Sequence, residues 1–205
     1  MQVNKALAAT KSRATIDVLI CCAGASYPGR FLEQDLDVHE TTMQLNYFGS
    51  LYAIKAVAAE MVARRQGRIV IVSSALMAVG FVGFTTYAPS KWALRGLADC
   101  LRNEFLPFGI HVHIAAPPDT NTPGYENEMK LKPPEAVLAS QAAGEDLYTP
   151  EQVASAMMSG LEKGKYHLPS PNLVPQFPQD PNELSGTDAR VQAAVGWRFF
   201  PSALA

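Results

Sequence analysis

A tyrosine and a lysine stand four apart in "TTYAPSKWALRGLAD", residues 85–99. Helical spacing puts Tyr87 and Lys91 on one face, a turn from each other. A free phenol titrates near 10 and exchanges protons poorly at neutral pH. An ammonium held within about 4–6 Å favours the phenolate and lowers that value. So placed, Tyr87 can give a proton to a carbonyl under reduction or take one from an alcohol under oxidation. Taken alone, the pair is also an ordinary surface motif of helices. Ser74 comes thirteen residues before Tyr87, where the strand "RIVIVSS" ends, and Asn46 is a polar residue among apolar neighbours in a long helix. "CCAG" (21–24) closes an earlier strand and "PPDTNT" (117–122) follows a later one. Ligands of open α/β sheets bind at the carboxyl ends of the strands, so these groups converge on one crevice. Adjacent side chains on a strand point opposite ways, and the spacing to Tyr87 favours Ser74 over Ser73 as the serine that faces it.

The elements that position these groups read as strand and helix in alternation. Residues 2–13 read as helical and lead to "TIDVLICCAG", a continuous apolar run that suits a strand buried on both faces. A long helix follows over 37–65, with Leu45, Phe48, Tyr52 and Ala56 at helical spacing and Gly67 as its stop. "RIVIVSS" is the second strand. Residues 86–108 form the next helix, striped by Leu94, Leu97, Leu101 and Phe105, with Pro89 tolerated in the first turn. "GIHVHIAA" is the third strand. The stretch "PPDTNTPGYENEMKLKPPE" reads as a loop, followed by a helix over about 149–163 and a short strand at 165–168. The order implies an α/β parallel sheet over residues 1–169. Residues 170–205, where prolines recur every few positions at first, read as an irregular C-terminal segment.

Composition narrows the function classes. The 205 residues are 48% hydrophobic and 18% charged with a net charge of −2, so no basic surface recommends nucleic acid. Three cysteines without a CxxC suggest free thiols rather than a disulfide framework. His111 and His113 share a strand face, but no further ligands stand nearby in sequence, and no metal site is expected. Residues 69–90 carry no charge and reach the length of a bilayer span, yet Ser73, Ser74, Gly80, Gly83, Thr85, Thr86 and Pro89 break them into strand and loop. The terminal "AAVGWRFFPSALA" is apolar and aromatic but too short to cross a bilayer.

This set of residues resembles the short-chain dehydrogenase/reductase family over about 15–169. The family's tetrad of Asn, Ser, Tyr and Lys matches Asn46, Ser74, Tyr87 and Lys91. The resemblance implies that Tyr87 donates the proton and Ser74 holds the substrate oxygen. It implies that Lys91 binds the nicotinamide ribose and acidifies Tyr87, while Asn46 bends its helix around a water in the proton relay. It also implies NADPH as cofactor. Cys22, Ala23 and Gly24 would lie against it, since "CCAG" matches the family's N-N-A-G with cysteines in place of both asparagines. Ser73, Tyr87 and Lys91 would border it too, as would Pro117, Pro118, Thr120 and Thr122, because "PPDTNT" matches P-G-x-x-x-T with Pro118 for the glycine. "GRIVIVSS", "GFTTYAPSKWALRGLAD" and "PPDTNTPGYENEMKLKPPE" are similar to the branch of the family that reduces 3-ketosphinganine in sphingolipid synthesis. That branch implies a lipid substrate, membrane association at the cytosolic face of the endoplasmic reticulum, and a homodimer through the helices holding Asn46 and Tyr87.

The family also opens with a glycine turn, T-G-x-x-x-G-x-G, that lets backbone N–H groups approach a pyrophosphate. The first glycine here is Gly24. The expectation is therefore a Rossmann-like doubly wound sheet missing its first three strands. Such a chain is either an incomplete sequence of a working reductase or a non-catalytic relative that binds or pairs. A dehydrogenase for another lipid alcohol or ketone, such as a steroid or retinoid, is a further alternative.

Overall fold

The computed structural model describes residues 15–143 and 146–169, all within one compact unit spanning residues 1–173. The helix expected at 2–13 and the segment 170–205 lie outside the described residues. Four parallel strands form one sheet in the order β1-β2-β3-β4: Val18–Cys21, Gly67–Val72, Ile110–Ala115 and His167–Leu168. Their register pairs Ile20 with Val70 and Val70 with His113, so the three longer strands end level at one edge. Ile69, Val70, Ile71, Ile110, Val112, Ile114 and Ala115 are all buried, as the unbroken apolar runs require of strands covered on both faces. β1 differs. Val18 and Ile20 are exposed, and its outer edge has no strand partner among the described residues.

The connection from β1 to β2 contains α1 (Leu36–Met43) and α2 (Gly49–Arg64), joined without a break by a π-turn over Gln44–Phe48. In that turn the Gly49 N–H reaches back five residues to the Gln44 carbonyl. Single π-turns inside α-helices concentrate at functional positions, and this one contains Asn46. The stripe Leu45, Phe48, Tyr52 and Ala56, though helically spaced, is not the buried face: Leu45 and Tyr52 are exposed. Thr42, Asn46, Ser50, Ile54, Val57 and Met61 face inward instead. Arg65 ends α2 in the left-handed conformation at φ 55°.

α3 (Tyr87–Phe105) packs on β3, burying Ala88, Ser90, Lys91, Leu94 and Ala98, and a short 3-10 turn completes it through Phe108. Gly109 then needs its φ of 73°, and a Cβ there would lie 2.7 Å from the Arg65 carbonyl oxygen. Beyond β3 the expected loop is in fact two helices, α4 (Pro123–Leu131) and α5 (Pro134–Ala143). At the start of α4 Thr122 accepts from the Tyr125 N–H at 3.1 Å and Pro123 fills the first turn. With no buried residue, α4 has no apolar stripe to announce it. α6 (Pro150–Glu162) opens on a capping box in which Thr149 and Gln152 exchange hydrogen bonds.

Candidate active site

The carboxyl ends of β1, β2 and β3 open into a cleft of about 370 Å³, within the usual range for small-molecule sites. Cys22 and Gly24 line it after β1, Ser73 and Ser74 after β2, and Pro117, Pro118, Thr120 and Thr122 after β3. Tyr87 and Lys91 reach it from the first turn of α3. All the sequence candidates therefore meet at one edge except two. Ala23 does not line the cleft, and Asn46 stands behind it.

Asn46 is fully buried, and its amide is saturated. Oδ1 accepts from the Ala25 N–H at 2.9 Å, while Nδ2 donates to the Ala25 carbonyl at 3.0 Å and to Ser90 Oγ at 2.9 Å. One side chain thus clamps the loop after β1 to the first turn of α3. Gly24 belongs to the same junction, because a Cβ there would meet Asn46 Oδ1 at 3.0 Å and Lys91 Nζ at 3.6 Å. Glycine is what lets this backbone approach so closely.

The two serines divide as alternation requires. Ser73 is buried and donates to the Lys91 carbonyl at 3.1 Å, anchoring α3 to the end of β2. Ser74 is half-buried, accepts from the Leu76 N–H at 3.3 Å, and hydrogen-bonds the Tyr87 phenol. Ser74 is the serine that meets the tyrosine.

The electrostatics correct one expectation. Burial pushes the Tyr87 phenol above its ordinary value; the Ser74 hydrogen bond pulls it down, and the Glu128 and Asp119 carboxylates push it up again. The net direction is upward, set by burial, and Lys91 is not among the groups that lower it. Its Nζ sits 5.2 Å from the centre of the Tyr87 ring and donates to the Val72 carbonyl at 3.2 Å. Burial lowers Lys91 itself from 10.5 to about 8, with Cys22 opposing.

Thr122 lines the cleft, but its hydroxyl is engaged in capping α4, and the Thr120 hydroxyl donates to the Pro118 carbonyl at 2.8 Å. Cys22 is exposed at the cleft, whereas the Cys21 thiol is buried and pushed up to about 11. His113 is buried with Nδ1 2.7 Å from the Lys165 carbonyl oxygen. Among the described residues no group of His, Cys, Asp and Glu side chains could hold a metal ion, and no helix is long and apolar enough to cross a membrane.

None of the residues of the far wall was singled out from the sequence. This wall consists of Phe81 and Phe84 from the loop before α3, and Tyr125, Glu128 and Lys132 from α4 and its end. Lys132 is almost fully covered, pairs with Glu128 at 3.3 Å, and lies over the Phe84 and Tyr125 rings. Arg30 ties this side down by gripping Glu135 of α5 at 2.7 and 3.1 Å and Glu33 at 3.1 Å. The only hint was the unusual run P-P-D-T before Pro123.

Comparison with known proteins agrees with this geometry. The family model described as short chain dehydrogenase matches residues 1–132. A 3-ketodihydrosphingosine reductase of Dictyostelium discoideum is 49% identical over 155 residues, covering 75% of this chain and 46% of the relative. A 3-dehydrosphinganine reductase of Danio rerio is 44% identical, covering 74% and 45%. The chain thus spans about half the length of the relatives it matches. Among solved structures, a short-chain dehydrogenase of Streptomyces avermitilis superposes with a TM-score of 0.69 at 25% identity, covering 82% of this chain and 65% of that one. A gluconate 5-dehydrogenase of Burkholderia cenocepacia, in complex with NADP and tartrate, gives 0.57 at 27% identity, covering 59% and 48%. Tyr87 and Lys91 on one helix, Ser74 at a strand end and Asn46 in a π-turn are therefore set in a chain that belongs to the short-chain dehydrogenase family.

Proposed function

We infer that this chain carries the carbonyl-reducing site of an NADPH-dependent reductase, with 3-ketosphinganine as substrate. The observation behind the reading is the meeting of Ser74 and Tyr87 at the mouth of a strand-end cleft, with the Lys91 ammonium beneath the tyrosine ring. Named relatives at 44–49% identity supply the substrate, and a solved neighbour holding NADP supports the cofactor.

The described residues fit the nicotinamide and ribose end of such a cofactor. Lys91 Nζ has three donors and gives one to Val72, leaving two for ribose hydroxyls. Gly24 lines the cleft, and its missing side chain makes room for Asn46 and Lys91 beside it. Pro117, Pro118, Thr120 and Thr122 border the same space after β3. Bound NADPH would supply a hydride to the carbonyl carbon. Ser74 would hold the substrate oxygen, and the phenol of Tyr87, kept protonated by its burial, would donate the proton to that oxygen. The raised value keeps the proton on the phenol at neutral pH, where a donor needs it. Asn46 would act at one remove, fixing the loop after β1 against α3.

Two further parts of the reading concern partners. A second copy would pack on α1, α2 and α3, where Leu45, Tyr52 and Trp92 are exposed. A lipid substrate argues for work at a membrane, and the resemblance for the cytosolic face of the endoplasmic reticulum.

The test is incubation of the purified protein with 3-ketosphinganine and NADPH, following nicotinamide absorbance and sphinganine by mass spectrometry. Stoichiometric cofactor consumption and sphinganine formation are expected. A folded protein that binds NADPH but leaves 3-ketosphinganine unreduced refutes the substrate assignment.

A further inference from the structure

Four charged side chains line the cleft: Lys91, Asp119, Glu128 and Lys132. Three are already engaged. Lys91 donates to Val72 beneath the Tyr87 ring, and Glu128 and Lys132 neutralise each other at 3.3 Å. Asp119 differs. Its carboxylate has no hydrogen-bond or ion-pair partner among the described residues, although the residue is partly buried.

The backbone of Asp119 is fixed while its side chain is free. The Tyr148 N–H donates to the Asp119 carbonyl at 3.0 Å, and the Asn121 N–H donates to the Tyr148 carbonyl at 2.8 Å, bridging the segment at Thr120. A side chain on such a braced turn is positioned without being consumed. The Glu128 and Asp119 charges are both felt at the Tyr87 phenol, Glu128 more strongly, but only Glu128 is shared with a lysine. A ketone oxygen held by Ser74 and Tyr87 therefore shares its cleft with an unpaired carboxylate.

We propose that Asp119 is the specificity residue that receives a cationic amine on the carbon next to the reacting carbonyl. This rests on the reading of the cleft as a ketone-reducing site and deepens it: the preferred substrate class becomes α-ammonium ketones. In 3-ketosphinganine the amine is borne by the carbon adjacent to the ketone. A negative group beside the proton donor is a poor choice for a neutral ketone, because it adds to the cost of charge on the substrate oxygen. For a substrate carrying its own cation the same group becomes an attraction. It also leaves an N-acylated analogue, neutral and bulkier, without a partner for Asp119 and with that carboxylate to desolvate.

The experiment compares the binding of two soluble short-chain probes, an α-amino ketone and its N-acetyl derivative, by titration calorimetry on the full chain. NADPH-dependent reduction is measured in parallel. Wild type is expected to bind the free amine roughly tenfold more tightly, the size expected of a hydrogen bond to a charged group. Asp119→Asn should remove that preference by weakening the amine alone, and raise KM for the amine without a matching fall in kcat. Glu128→Gln should keep the preference, since Lys132 already neutralises Glu128. Equal binding of both probes by wild type, or a preference that survives Asp119→Asn, overturns the proposal while leaving the ketone reading in place. Binding of neither probe by folded wild type refutes the ketone reading itself and the proposal with it.

Discussion

Replacing Lys91 by methionine tests the electrostatic account of the site at its least intuitive point. Lys91 is 5% exposed, and its ammonium is held below its ordinary 10.5, at about 8, chiefly by burial. At about 1.36 kcal/mol per tenfold change, keeping that charge in the folded protein at pH 7 costs about 3 kcal/mol. Methionine fills a similar channel without the charge. Its debit is the hydrogen bond to the Val72 carbonyl, roughly 1 kcal/mol, with some loss of contact against the Tyr87 ring. The net expectation is a variant about 1–2 kcal/mol more stable at pH 7 that no longer reduces a ketone. Urea unfolding of both proteins measures it, with equal slopes as the check that the same surface unfolds. The pH dependence sharpens the test. A lysine lowered in the folded state is deprotonated there between pH 8 and 10.5 while the unfolded chain still binds the proton. Wild-type stability from this group therefore rises with pH across that window. The variant's advantage should be complete below pH 8 and shrink as pH climbs toward 10.5. A variant that is less stable than wild type by more than about 1 kcal/mol at pH 7, or a difference flat from pH 7 to 10, would refute the reasoning.

Three other outcomes are expected. Tyr87→Phe should lower kcat by about 10²–10⁴ and leave NADPH binding intact; residual activity near wild type would remove the phenol as proton donor. Asn46→Ala strips partners from the Ala25 N–H and carbonyl, and should cost about 2–4 kcal/mol in urea unfolding, a smaller loss meaning that the clamp is not structural. The Glu135 carboxyl is held at about 2, against its ordinary 4.5, by the Arg30 guanidinium. Because the folded value is the lower one, the pair contributes in full above pH 4.5 and fades as pH falls toward 2. Amide exchange in residues 29–33 should accelerate over that window in wild type and show no such step in Glu135→Gln.

The parallel sheet was legible because its strands are continuous apolar runs ended by small or polar residues, and every candidate but Ala23 and Asn46 touches the cleft. What the sequence hid has physical causes. Helical spacing marks a stripe but not whether it is buried: Leu45 and Tyr52 of the apolar stripe are exposed, while Thr42, Asn46 and Ser50 are buried. α4 buries nothing and so lacks periodicity, which left its wall of the cleft, Glu128 and Lys132 included, looking like loop. The i, i+4 rule brings Lys91 to Tyr87 but does not say whether the ammonium meets the oxygen or the ring. Nor does it say how deeply the phenol is buried, and burial is what raises it here.

The π-turn at Gln44–Phe48 leaves this helix out of phase with itself. Each residue of an α-helix advances the azimuth by about 100°, so one surplus residue re-indexes everything downstream. Asn46 can thereby point at the loop after β1 while Ile54, Val57 and Met61 still address the sheet. Deleting any single position between 44 and 48 would restore an ideal helix and misalign one of its two ends. The segment should tolerate changes of side chain far better than changes of length.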